Sequence, residues 1–335
     1  MMPGQDWEFR GQDGTTQRGR YWAPMNGAGD DVGGEVRGLV YLVHGLAEHI
    51  DRYDRFARYL SDRGFAVAGH DQRGHGRSVT ADAPLGHFGD GGGWNTLVDD
   101  AIRGMSALRD QAGDHPLILF GHSMGSFVVQ QVLWTAAEGL SGAVLSGSNG
   151  PPPPLAALGR VIARIERMRL GAKGSSSLLH GLGFDGMNKA FQPSRTPMDW
   201  LSRDPAEVDR YIADPLCGFV ASTGSWITLL DALKGLTAAS HVARIPKDLP
   251  IHLAAGSRDP VGDSGRGVQR LAGVYRAAGL QQVSVTLYPD ARHEILNETG
   301  RDQVMADLAG HIRTMADRSL AGRTMTGGTA TGATS

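Results

Sequence analysis

The sequence predicts an α/β protein: a mostly parallel central sheet with flanking helices, interrupted by an inserted helical segment. Three observations carry this. Short apolar runs at 38–43, 65–68, 116–120, 142–146, 251–255 and 283–288 alternate with stretches of helical periodicity. Most of these runs are apolar throughout, the pattern of strands covered on both faces. The alternation then stops at Pro151-Pro152-Pro153-Pro154 and resumes at Leu249.

The elements follow in order. Trp7–Arg10 and Gln17–Trp22 flank Asp13-Gly14 and read as an opening hairpin. Asn26–Gly34 is a Gly/Asp-rich loop, and Gly38–Val43 is a buried strand ending at His44-Gly45. Tyr53, Phe56, Ala57 and Leu60 recur at helical spacing, with Gly64 as the stop. A strand at Phe65–Ala68 precedes a helix over Trp94–Ala112, whose Leu97, Val98, Ala101, Ile102, Met105 and Leu108 share one face. Pro116–Phe120 is a strand, Ser126–Trp134 a helix and Gly142–Ser146 a strand. From 151 to 236 the chain reads as helical. Leu155, Leu158, Val161, Ile162, Ile165 and Met168 form an apolar stripe there, expected to pack on the core, with Arg160, Arg164, Arg167 and Arg169 around it. A strand at Leu249–Ala255, a helix at Gly265–Ala278, a strand at Val283–Tyr288 and a helix at Arg301–Arg318 complete the pattern. The expected organisation is a core of residues 1–150 and 237–320, a helical insertion at 151–236, and a disordered Thr/Gly/Ala-rich tail at 321–335.

Bulk properties narrow the function. A net charge of −2 gives no reason to expect nucleic acid as a partner. Cys217 is the only cysteine, which rules out an intrachain disulfide and fits a reducing compartment. Met1–Arg10 carries Asp6 and Glu8 and no apolar segment, so it does not read as a secretory signal. No run approaches the ~18 apolar residues of a membrane span. The expectation is a cytoplasmic protein, with peripheral membrane contact left open.

The chemistry begins at Gly121-His122-Ser123-Met124-Gly125, a G-x-S-x-G pentapeptide between a predicted strand and a predicted helix. A sharp turn there lifts the serine clear of the sheet, and flanking glycines remove Cβ atoms that would clash. A serine hydroxyl needs a base, and the base needs an orienting carboxylate. Both follow in the order Ser, Asp, His. Asp259 comes directly after the strand ending at Ala255, and His293 after the strand ending at Tyr288. Loops at the carboxyl ends of parallel strands converge on one edge of the sheet, so Ser123, Asp259 and His293 can meet. Asp263 and Asp290 are rivals for the carboxylate; Asp263 is expected to start the next helix as cap or dipole partner, and Asp290 lies too near His293. An oxyanion hole needs the N–H of Met124 and a second from the loop His44-Gly45-Leu46, for which Leu46 is the candidate.

At these residues the chain resembles the monoacylglycerol lipase and bacterial lysophospholipase group of the α/β-hydrolases, a serine aminopeptidase-type group. The resemblance rests on His44-Gly45-Leu46-Ala47-Glu48-His49 with Arg52-Tyr53, on Asp71-Gln72-Arg73-Gly74-His75-Gly76-Arg77-Ser78, on the GHSMG pentapeptide, and on the Asp259 and His293–Glu298 loops. It covers roughly residues 35–320 and departs at Ala47, where many members have glycine. It implies an α/β-hydrolase fold, a helical cap over a lipophilic pocket, hydrolysis of small lipophilic esters with one acyl chain, and no cofactor. Membrane contact through the cap stays open.

Other residues admit plainer readings. His44, Glu48 and Arg52 are candidates for substrate contact; Glu48 and Arg52 equally fit bracing of the oxyanion loop or a solvated helical turn. His44, His49, His70, His75 and His87 lack the spacing of a metal motif, and no cysteine cluster accompanies them, so no metal is expected. Cys217 reads as a buried small apolar residue. Alternatives on the same triad are an aminopeptidase-like amidase, a thioesterase or a perhydrolase. The amidase requires an acidic group in the insertion, among Glu166, Asp185, Asp199, Asp204 and Glu207. A non-catalytic binder has no need of base and orienter together. A dehalogenase or epoxide hydrolase carries a carboxylate where Ser123 stands.

Overall fold

The computed structural model describes residues 4–25, 36–90, 92–152 and 155–327. Eight strands form one sheet: β1 Gln5–Arg10, β2 Thr16–Trp22, β3 Gly38–Val43, β4 Phe65–His70, β5 Leu117–His122, β6 Leu140–Ser146, β7 Ile251–Gly256 and β8 Val283–Tyr288. Their spatial order is β1-β2-β4-β3-β5-β6-β7-β8. The β1–β2 and β2–β4 pairings are antiparallel and all later ones parallel. The expected loop at 26–34 lies outside the described residues.

Strands β3, β4, β5 and β7 are buried at every position, as their unbroken apolar runs require. Side chains alternate across the sheet. Leu39, Tyr41 and Val43 face a cluster built with α2 (Trp94–Ala112), α3 (Met124–Thr135) and α9 (Arg266–Ala277). Val40 and Leu42 face a second cluster with α1 (Asp54–Ser61) and α10 (Arg301–Gly327). β3 has β4 on one side and β5 on the other, so the strand order reverses there and opens a crevice at the carboxyl ends.

Between β6 and β7 lie α4 (Leu155–Leu170), α5 (Ser177–Phe184), α6 (Pro205–Ala213), α7 (Thr223–Leu236) and the short α8 (Ala239–Val242). Two expectations need correction here. The stripe on α4 packs inward only in part: Ile162 rests on the core, but Leu158, Val161, Ile165 and Met168 are 54%, 51%, 52% and 80% exposed. Ala163 is buried instead, and Gly159 has Leu230 of α7 as its neighbour. Small residues let α4 approach α7 closely, which turns its larger side chains outward. The disorder expected from residue 321 is also corrected, because 321–327 are helical. α10 runs past Arg318 to Gly327, through a stretch with the helix formers Leu320, Ala321, Arg323 and Met325. Residues 328–335 lie outside the described part.

Candidate active site

The six loops that follow β3 to β8 supply every residue of interest. At the end of β5, Ser123 has φ 52° and ψ −123°, a strained conformation for a residue with a side chain. Close packing enforces it. A Cβ on Gly125 would stand 2.1 Å from the Val43 carbonyl oxygen, so no other residue fits that turn. Ser123 is the one residue of Gly121–Gly125 that is not buried. The Met124 N–H opens α3 and lacks an intrahelical acceptor by geometry. Leu46 lies on the loop after β3, where a Cβ on the preceding Gly45 would sit 3.2 Å from Ser123 Cβ. Among the described residues, neither N–H is taken by a backbone acceptor.

His293 and Asp259 meet although far apart in sequence. The His293 Nδ1–H donates to Asp259 Oδ1 at 2.9 Å, and both side chains are buried. That oxygen also accepts the Val261 N–H at 2.9 Å, which fixes the carboxylate. Burial disfavours the charged imidazole, but the Asp259 carboxylate and its hydrogen bond outweigh burial and raise the His293 pKa above 6.5. Of the rivals, Asp263 pairs with Arg266 and Arg270. It is not the cap of α9, since Gly265 holds that position, so its link to the helix is through these ion pairs. Asp290 has φ 57°, and its backbone N–H donates to the Ser257 hydroxyl at 2.8 Å.

The three candidates for substrate contact, His44, Glu48 and Arg52, all hold partners within the protein. Glu48 Oε1 accepts the Gly45 N–H at 2.5 Å and the Tyr53 hydroxyl at 2.8 Å. Arg52 donates to Glu48 Oε2 and, through two nitrogens, to Glu294, each at 2.7 Å. Burial alone would raise the Glu48 pKa; the charge of Arg52 overcomes it and holds the carboxyl at about 2. His44 Nε2 accepts the Gln72 N–H at 2.9 Å, so Nδ1 carries the proton and donates to the Gly45 carbonyl at 2.7 Å. These buried groups brace the loop that presents Leu46, because a buried polar atom without a partner is costly. The Asp71–Ser78 segment joins in: Asp71 accepts the Ile50 N–H at 2.8 Å, and His75 Nε2 accepts the Ala47 N–H at 3.3 Å.

Sequence reasoning missed two rings and one clasp. His122 and Trp200 stand 4.7 Å and 5.1 Å from the His293 ring. Trp200 comes from the insertion, where nothing in its local pattern marks it. The next residues hold the histidine loop: Glu294 N–H donates to the Leu201 carbonyl at 2.8 Å, and Arg203 donates to Glu298 at 2.9 Å. Four of the five candidate acidic groups of the insertion are occupied. Glu166 holds Arg169 and Ser176, Asp199 accepts from Thr196 and the Arg195 N–H, Asp204 pairs with Arg301, and Glu207 with Arg55 and Arg210. Asp185 is exposed.

The sequence profile of the family described as "Serine aminopeptidase, S33" matches residues 34–300. A monoacylglycerol lipase of Mycolicibacterium smegmatis is 28% identical, covering 83% of this chain and 89% of that one. A monoglyceride lipase of Mus musculus is 29% identical, covering 83% and 80%. A thermostable carboxyl esterase of Bacillus coagulans, solved in complex with glycerol, superimposes with a TM-score of 0.84 at 27% identity, over 94% of this chain and all of that one.

Proposed function

The chain belongs to the serine aminopeptidase S33 family of α/β-hydrolases, and from that premise we propose a serine ester hydrolase acting on monoacylglycerol or lysophospholipid-like esters. The observation that carries the reading is the buried His293–Asp259 hydrogen bond beside the strained turn at Ser123. With Nδ1 committed to Asp259, His293 Nε2 is the nitrogen left to act as base. Ser123 Oγ attacks the acyl carbon and Nε2 takes its proton. Asp259 keeps the tautomer and stabilises the imidazolium. The Leu46 and Met124 N–H groups bind the tetrahedral oxyanion; losing one such donor costs about 10²–10³-fold in rate. The alcohol leaves with the proton from His293, and water repeats the sequence to release the acid. The segment 151–236 serves as the cap and sets the acyl and head groups accepted.

The ester reading is favoured over an aminopeptidase-like amidase by the insertion's carboxylates. Four of the five already hold cations or hydrogen bonds, which leaves Asp185 alone among them as an anchor for a substrate amine. A fluorophosphonate probe is expected to label Ser123, with labelling lost and turnover reduced at least ~10⁴-fold in Ser123→Ala. Labelling that persists in the variant overturns the nucleophile. A panel of p-nitrophenyl esters, monoacylglycerols, thioesters and aminoacyl amides tests the substrate class; turnover of the amides alone overturns it.

No helix among the described residues is long and apolar enough to cross a membrane. The exposed stripe of α4, continued by Leu178 and Leu182 of α5, suits instead an edge-on contact with a lipid surface, with Arg164 and Arg167 beside it. Burying each such side chain contributes about 1.5–3 kcal/mol. Ile165→Glu with Met168→Glu is therefore expected to weaken sedimentation with anionic phospholipid vesicles at least ~10-fold, while turnover of a water-soluble ester stays unchanged. Equal sedimentation of variant and wild type removes the lipid contact from the reading.

A further inference from the structure

His49 ends the motif on the loop after β3, yet its imidazole takes no part in bracing that loop. Its Nε2 lies 2.8 Å from Asp214 Oδ2, on the turn after α6. Asp214 is oriented for this, because its Oδ1 accepts the Leu216 N–H at 2.8 Å. The Cys217 N–H donates to the Asp214 carbonyl at 3.0 Å, closing an Asp-Pro-Leu-Cys turn that brings the buried thiol to the same point. The ligand atoms of His49, Asp214 and Cys217 all lie within 4.8 Å of one another. The two elements are also tied together. The Gly218 N–H and the Tyr211 hydroxyl both donate to the Ala47 carbonyl, at 2.9 Å and 3.0 Å.

We propose that His49, Asp214 and Cys217 form a binding site for a zinc-class divalent cation that joins the insertion to the Leu46 loop. One imidazole nitrogen, one carboxylate oxygen and one thiolate are a borderline-soft set that suits Zn²⁺ and excludes Ca²⁺ and Mg²⁺, which take oxygen ligands. Bonds of about 2.0–2.3 Å in a tetrahedral site set ligand atoms roughly 3.3–3.8 Å apart. The His49–Asp214 pair has to open slightly and the thiol to close, both within side-chain rotation. The fourth position falls to water, which reaches His49 and Asp214 through a cavity of about 460 Å³ that they line. The cations that share this cavity are paired, Arg52 with Glu48 and Glu294 and Arg55 and Arg210 with Glu207, so with Asp214 the local charge is negative. On binding, the metal replaces the His49–Asp214 hydrogen bond: the Nε2 proton passes to solvent while Nδ1 takes one up, so the imidazole binds as its other neutral tautomer, and the thiol proton passes to solvent as the metal–sulfur bond forms. No electron transfer is involved.

The test uses the full chain, free of affinity tags and stripped with chelator, titrated with CoCl₂ and then ZnCl₂. One Co²⁺ per chain is expected, with a thiolate-to-cobalt charge-transfer band in the near ultraviolet that Zn²⁺ abolishes. Cys217→Ser and Cys217→Ala are expected to lose the band and at least ~10-fold in Zn²⁺ affinity, and Asp214→Asn and His49→Gln to keep the band with weaker binding. The alanine variant keeps the buried position apolar, and metal-free melting curves identify any variant that misfolds. Absence of the band in wild type, or undiminished Zn²⁺ affinity in both Cys217 variants, overturns the site.

Discussion

His293 has two rings against it, and they differ in what they do to its charge. Trp200 lies at 5.1 Å, tilted 35°, and its π face attracts a cation. His122 lies at 4.7 Å; burial first, and then the neighbouring His293 charge, lowers its pKa to about 4, so it stays neutral beside the imidazolium. Since the proposed base works in its neutral form, the acid limb of kcat/KM is expected above pH 6.5, the direction set by Asp259 against burial. Trp200→Leu removes a contact worth about 0.5–1 kcal/mol to the imidazolium. The expected result is a kcat some ~3- to 5-fold lower with KM nearly constant, and an acid limb moved to lower pH; Trp200→Phe retains most of both. An unmoved limb reduces Trp200 to packing. His293 itself was legible from its place after a predicted strand. Trp200 was not, because its role depends on a contact across some ninety residues that no local pattern encodes.

Among the elements, the loop after β3 shows how several weak constraints fix one backbone. Ala47 has φ 58°, a left-handed conformation that costs a side-chain-bearing residue roughly 1–2 kcal/mol. It persists because its N–H meets His75 and its carbonyl receives both Gly218 and Tyr211. Glycine at this position relieves the strain but raises unfolded-chain entropy by roughly 0.5–1 kcal/mol. Ala47→Gly is therefore expected to melt at or slightly above the wild-type temperature, by up to about 1 kcal/mol, with esterase activity kept. A clear loss of stability means the alanine methyl packs more than it strains. The sequence showed that this loop departs from its group at Ala47. The element also explains why Glu48 and Arg52 are not free for substrate: sequence spacing puts them on one turn, but only Glu294, from the far end of the chain, completes the buried pair.

The molecule as a whole stores many neutral histidines, and this sets its response to acid. Burial lowers His70, His75 and His252 to about 3 and His122 to about 4, against 6.5 in the unfolded chain. In that window the unfolded chain binds more protons, so stability falls as pH drops. Glu48 adds in the same direction: its carboxyl is held at about 2 against 4.5, so its contribution is lost as pH falls below the unfolded value. Melting followed by circular dichroism is expected to show a steady decline in Tm below about pH 6.5, continuing to about pH 4. A flat profile contradicts the burial of these groups. The sequence by itself determined the sheet, the Ser123 turn and the strand ends bearing Asp259 and His293. Those features are local: apolar runs, helical period and turn chemistry act between neighbours. The tertiary structure alone decided which face of α4 meets solvent, what Glu48 and Arg52 bind, and that Trp200, Asp214 and Cys217 reach the edge of the site. Each of these depends on the insertion closing onto loops distant in the chain, where packing of small residues and pairing of buried charges outweigh any local preference.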